Sequence, residues 1–188
     1  MNDGIPHNDS IKRQQQRIWA AGDFSMDATG STIVGERLCE SIELRAGERV
    51  LDIGAGSGNT ALAAARRHCD VIGIDFVPAL LERARERAHA ERLSIEFREV
   101  DAEKLPFADA SFDAVLSTFG VMFAPDQAKA AAELLRVCRP GGKIGLTTWA
   151  PDGFIAELQR ASARFSPPPP PGFQPPVLWG TEKRLREL

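Results

Sequence analysis

Residues 50–60, Val-Leu-Asp-Ile-Gly-Ala-Gly-Ser-Gly-Asn-Thr, constrain this chain more than any other stretch. An aliphatic run ends in a loop with glycine at every second position, and an alanine-rich segment follows. That order predicts a strand, a tight turn and a helix N-terminus. Glycine permits positive φ and a close approach to a ligand. The unpaired N–H groups at the start of the next helix face whatever fills the crevice. Open α/β sheets bind nucleotide-like molecules outside the carboxyl ends of their strands in this way.

The flanking pattern repeats the unit. Residues 70–75, 94–100, 112–117 and 143–149 read as four more strands; the apolar run at 70–75 is typical of a parallel sheet covered on both faces, and 94–100 alternates. Helical patterns lie between them at 60–68, about 78–90 and 126–138. Pro78 suits the first turn of one, and Arg139-Pro140-Gly141-Gly142 ends another. Strands alternating with helices imply an α/β fold with a doubly wound, mostly parallel sheet over residues 46–150.

Residues 1–45 precede that core. Residues 1–9 are polar and read as disordered, and helices are expected at 10–20 and about 31–41 with a break at Gly22-Asp23-Phe24. Ile11, Ile18 and Trp19 share the apolar face of the first. The pair either packs on the sheet edge or forms a lid with Trp19, Asp23, Phe24 and Met26 facing inward. In residues 151–188 a helix at 154–165 runs into five prolines, Pro167 to Pro171. Such a run is a stiff spacer, or less simply a ligand for a proline-binding module. A further helix begins near Leu178.

Composition excludes several classes. At 188 residues the chain reads as one domain, and a net charge of −3 gives no electrostatic footprint for nucleic acid. Cys39, Cys69 and Cys138 lie far apart and at no ligand-like spacing to His7, His68 or His89. They read as reduced thiols in a cytoplasmic protein, with no metal site. No apolar run approaches the roughly 20 residues that span a bilayer, and the polar N-terminus is unlike a signal peptide.

Four positions fall where a nucleoside-like ligand needs them. Gly54, Gly56 and Gly58 follow strand one. Asp75 ends strand two, where a carboxylate accepts ribose hydroxyls. Asp101-Ala102 follows strand three, and Ser117-Thr118-Phe119-Gly120 follows strand four. Asp75 alone would be an ordinary strand-end turn residue; the ordered set points to a ligand. An NAD-dependent oxidoreductase is the weaker alternative, since its loop is spaced Gly-x-Gly-x-x-Gly and normally opens the chain.

Residues 50–60, Gly73-Ile74-Asp75, residues 100–107 with Leu105-Pro106-Phe107, Ser111-Phe112-Asp113 and residues 134–142 together resemble the successive motifs of class I S-adenosylmethionine-dependent methyltransferases. The similarity is greatest to the ubiquinone and menaquinone C-methyltransferase group and covers about residues 15–150. It implies a Rossmann-like fold and S-adenosylmethionine as cofactor. Gly54, Ala55 and Gly56 would pass under the methionine part, with Asp52 steadying the loop. Asp75 would hold the ribose, Phe76 would lie on the adenine, and Asp101 would accept from its amino group beside the Ala102 N–H. Ser117 would meet the methionine ammonium through its carbonyl. Phe24, Phe119 and Met122 would line the substrate side, with Phe123 equally at home in the core.

Methyl transfer from a sulfonium needs alignment and exclusion of water more than a side-chain catalyst. No catalytic residue is therefore assigned, and His68 and His89 read as surface groups. Strand four is not followed by the Asn/Asp-Pro-Pro-aromatic signature of amino methylation, nor by an acidic cluster for Mg²⁺. The resemblance thus implies a small organic acceptor methylated at carbon or oxygen. One departure stands out: residues 151–188 hold no counterpart of the family's closing β-hairpin. Either the chain is a fragment lacking the last strands, or strand five is an open edge covered by a homodimer partner or by the tail, and a non-catalytic S-adenosylmethionine-binding module becomes the first alternative.

Overall fold

In a computed structural model the chain is described over residues 7–21, 24–165 and 173–188, and its side chains over 8–21, 30–165 and 173–188. The described elements run α1 (His7–Ala21), α2 (Phe24–Ser41), β1 (Arg49–Ile53), α3 (Asn59–Arg66), β2 (Asp70–Asp75), α4 (Pro78–Ala90) and β3 (Glu96–Glu99). β4 (Phe112–Thr118), α5 (Gln127–Val137), β5 (Cys138–Thr147), α6 (Phe154–Ala163) and α7 (Glu182–Glu187) follow. The five strands form one parallel sheet in the order β3-β2-β1-β4-β5. β1 is central, and the winding reverses beside it. Ligand crevices form at such a switch point.

Strand periodicity explains the layers. Successive strand residues point to opposite faces, so Val50, Val71 and Ala114 pack with Leu38 and Cys39 of α2, Leu62 of α3 and Leu81 of α4. Leu51, Ile72 and Val115 point the other way, onto Leu134 and Val137 of α5. Both faces are covered, which is why the strands read as continuous apolar runs. Alanines 61, 63 and 64 are fully buried and let α3 lie close to the sheet.

Several expectations need correction. α1 begins at His7, so residues 7–9 are helical and not disordered. α2 starts at Phe24, well before residue 31. β5 begins at Cys138, directly after α5. Phe112 pairs with Cys138 and Ala114 already with Lys143, so Arg139-Pro140-Gly141-Gly142 bulges out inside the strand instead of preceding it. Ile18 does not share a buried face with Trp19; it is 55% exposed.

The described part of the tail, residues 173–188, packs on the core. The five prolines lie outside the described residues. Beyond them Pro176–Gly180 makes a 3-10 helix before α7. Trp179 is 2% exposed and joins the core under α5. Gln127 at the start of α5 donates to the carbonyls of Gln174 and Pro175, and its own oxygen accepts from Arg184. Among the described residues of 151–188 there is no strand, and β5 pairs only with β4.

Candidate functional site

The site forms at the carboxyl ends of β1, β2, β3 and β4. After β1 the chain turns through Gly54 at φ +67°, Gly56 at +55° and Gly58 at +91°, values open to glycine at little cost. Gly58 then sits at the N-cap of α3. Arg87 of α4 steadies this loop by donating to the Ser57 carbonyl at 2.7 Å and to Asn59 Oδ1 at 2.8 Å.

Two cavities share Gly54, Asp75, Phe76, Gly120 and Phe123. The first, about 340 Å³, runs over the ends of β2 and β3 past Val100, Asp101 and Ala102. The second, about 250 Å³, lies against Ala55, Gly56, Thr118, Phe119 and Trp149. Asp75 stands where they meet and is 7% exposed. Its oxygens accept from Gly56 N and Val77 N, each at 2.9 Å, and still carry lone pairs for hydroxyl donors. Burial pushes its carboxyl above the usual range, with those N–H groups opposing the rise.

Asp52 lies behind the glycine loop, in neither cavity. It is 1% exposed, and neither oxygen has a well-formed hydrogen bond. Burial pushes its carboxyl up to about 7; the Ala61 N–H offsets part of that and Asp75 adds to it. A buried carboxylate left without a partner is costly, so a cationic ligand group nearby would relieve it.

Helix α1 crosses the first cavity. Lys12, Gln15, Gln16 and Trp19 fall on one face at spacings of three and four, and each contacts the rim. Lys12 Nζ donates to Asp101 Oδ2 at 2.6 Å and to Glu103 Oε2 at 2.5 Å. Gln16 donates to the Phe76 carbonyl at 2.6 Å and Gln15 to the Phe123 carbonyl at 3.0 Å. Trp19 meets Phe123 edge to face at 5.0 Å. Sequence reading missed Lys12, Gln15 and Gln16 because it sought an apolar stripe; the helical spacing of the polar residues was the available signal.

The second cavity has an aromatic wall. Beyond Trp19, Phe123 packs edge to face on Trp149 at 5.4 Å, and Phe119 lies against Trp149 at 6.0 Å. Phe119 holds φ at +59°, a sparsely populated conformation for a non-glycine residue, and its N–H donates to the Thr147 carbonyl. Opposite, Thr60 Oγ1 donates to Thr118 Oγ1 at 2.7 Å.

The expected site residues therefore divide. Gly54, Asp75, Phe76, Asp101 and Ala102 line the first cavity, and Gly54, Ala55, Gly56, Asp75, Phe76 and Phe119 the second. Ser117 lines neither. Its hydroxyl donates to the Ile53 carbonyl and accepts from Val121 N, tying the β1 and β4 ends together. Met122 is also not at the cavity surface; it is 1% exposed, in the core beside α5. The side chains of Asp23, Phe24 and Met26 lie outside the described residues.

Comparisons with known proteins point to one family. Residues 51–146 match the methyltransferase domain family. An uncharacterized protein of Mycobacterium tuberculosis is 40% identical over 180 residues, covering 95% of this chain and 66% of the relative. A demethylmenaquinone methyltransferase of Deinococcus radiodurans is 44% identical over 105 residues, covering 55% of this chain and 44% of that enzyme. Among solved structures, the YcgJ protein of Bacillus subtilis superposes with a TM-score of 0.61 at 34% identity, covering 67% of this chain and 57% of that one. The chain thus spans just under two thirds of the mycobacterial relative's length. A buried orphan carboxylate, a left-handed glycine turn and a strand-end aspartate facing both cavities fit an adenosyl amino acid. With that match over half its length, the chain belongs to the class I S-adenosylmethionine-dependent methyltransferases.

Proposed function

We propose that the chain transfers the methyl group of S-adenosylmethionine to a small, largely apolar organic acceptor held in the second cavity. The aromatic wall carries this reading. Trp19, Phe123, Trp149 and Phe119 line a space of about 250 Å³ directly beside the glycine loop, and the described lining includes no Lys, Arg or His. Bound S-adenosylmethionine supplies a methyl group on a sulfonium, which leaves as a neutral thioether and needs no acid. In this reading Asp75 holds the ribose, Asp52 faces the amino acid end, and the backbone of residues 54–56 passes beneath it. The ring faces favour a neighbouring cation and exclude water from the reacting pair. With no titratable side chain but Asp75 in the described lining, the acceptor arrives already nucleophilic or gives its proton to solvent.

Calorimetric titration with S-adenosylhomocysteine tests the cofactor half. Micromolar binding, lost in Asp75→Ala, supports it, and tight NAD binding instead would overturn it. Methyl transfer to one-ring phenols, hydroquinones or thiophenols tests the acceptor half. Binding without turnover on any acceptor would favour the non-catalytic module.

The surroundings are part of the same proposal. We assign the free edge of β5 to a second copy of the chain, which sedimentation equilibrium checks. No described helix is long and apolar enough to cross a membrane. Cys39 and Cys69 are buried free thiols, and burial pushes Cys39 up to about 12, which favours the reduced form expected in a cytoplasm.

A further inference from the structure

The adenine end of the first cavity is already engaged by the protein itself. Asp101 Oδ1 accepts from Glu103 N at 2.9 Å, and Oδ2 accepts from Lys12 Nζ at 2.6 Å. Lys12 comes from α1, far from the motif residues in sequence, and its second partner Glu103 is 3% exposed. Glu103 in turn accepts from Asp126 N at 2.8 Å, so its place is fixed by the start of α5. Burial alone would lower the Lys12 ammonium, but its bonds to the two carboxylates outweigh that and raise it. The lysine is a cation across the ordinary pH range.

Resting on the cofactor reading above, we propose that Lys12 is a specificity-determining residue that competes with a purine amino group for Asp101. A charged donor makes the stronger hydrogen bond, so a neutral amino group would not displace Lys12 if Asp101 were its one partner. Glu103 removes that obstacle. It keeps the ammonium paired while Oδ2 is handed over, so exchange strands no buried charge. Lys12 lowers the preference of the site for a six-amino purine and supplies a donor to a six-keto purine.

The comparison of S-adenosylhomocysteine with S-inosylhomocysteine separates this role from mere support of α1. Both ligands are titrated calorimetrically into the full chain and into Lys12→Met and Lys12→Arg. In Lys12→Met the adenosyl ligand is expected to bind about threefold to tenfold more tightly, the size of one hydrogen bond in competition. The inosyl ligand is expected to bind no better or worse, so the ratio of the two dissociation constants rises. Lys12→Arg, which keeps a cation, is expected to stay near the wild-type ratio. An unchanged ratio in a folded Lys12→Met overturns the proposal and leaves the cofactor reading intact. If neither wild type nor variant binds either ligand, the cofactor reading itself falls and this one with it. A Lys12→Met chain that does not fold leaves Lys12→Gln, judged on the same ratio.

Discussion

Gly54 and Gly120 lie Cα against Cα where the turns after β1 and β4 cross. A Cβ on Gly120 would stand 2.7 Å from Gly54 Cα and 2.8 Å from the carbonyl oxygens of Ile53 and Gly54. The obstruction is backbone, so it cannot swing aside. Gly120→Ala should cost about 1–3 kcal/mol, as overpacking does, and should weaken S-adenosylhomocysteine binding because both cavities include these two glycines. Urea denaturation with a parallel calorimetric titration checks it. Wild-type stability and affinity would show that the turns can separate freely.

Asp52 makes stability depend on pH. Its carboxyl titrates at about 7 in the fold and near 4 when unfolded. The folded form therefore holds the proton more tightly. Its stabilising contribution is complete below pH 4 and is lost as pH rises to 7, a span on the order of 4 kcal/mol. Asp52→Asn should flatten this slope, read from denaturation midpoints between pH 5 and 8. Equal slopes in both proteins would place the ionisation elsewhere.

Trp149 touches two rings of the wall and lines the second cavity without lining the first. Each aromatic pair is worth about 0.5–1.5 kcal/mol beyond its area. Trp149→Leu should raise the acceptor KM by roughly threefold to tenfold and leave S-adenosylhomocysteine affinity within twofold. Steady-state kinetics and calorimetry report the two numbers. An equal loss of both would mean that Trp149 supports the whole crevice.

Trp179 tests whether the tail is a connector or part of the core. Trp179→Ala should cost about 3–5 kcal/mol, the usual penalty for emptying a large aromatic site. Trp179→Phe should cost far less, because the indole Nε1 is buried without a partner and its removal relieves an unpaired donor. A spacer would tolerate both changes equally in thermal denaturation.

The glycine turn, Asp75 and the alternating strands were legible because each depends on neighbours in sequence. Two motifs that are separate in sequence, the Leu105-Pro106-Phe107 stretch and the helix ahead of Arg139-Pro140-Gly141-Gly142, are one contact in space. Arg136 donates to the carbonyls of Leu105 and Phe107, and Glu133 accepts from Leu105 N. The role of Gly120 was hidden because its partner lies in another loop. Met122 follows β4 as a cavity residue would, but the 3-10 helix Val121–Phe123 turns it inward. Trp179 was unreadable for a similar reason: a lone tryptophan after prolines carries no period, and its burial depends on α5 and Trp149.

The central position of β1 also dictates an order of events during synthesis. One of its edges pairs with β2, Val50 against Val71, but the other waits for β4, Val50 against Ala114. Until residue 118 has left the ribosome, the central strand of the sheet has an open side, and a nascent chain in that state invites association. The second half of the domain thus acts first as a cover for β1, and the crevice it completes exists only once that cover is in place.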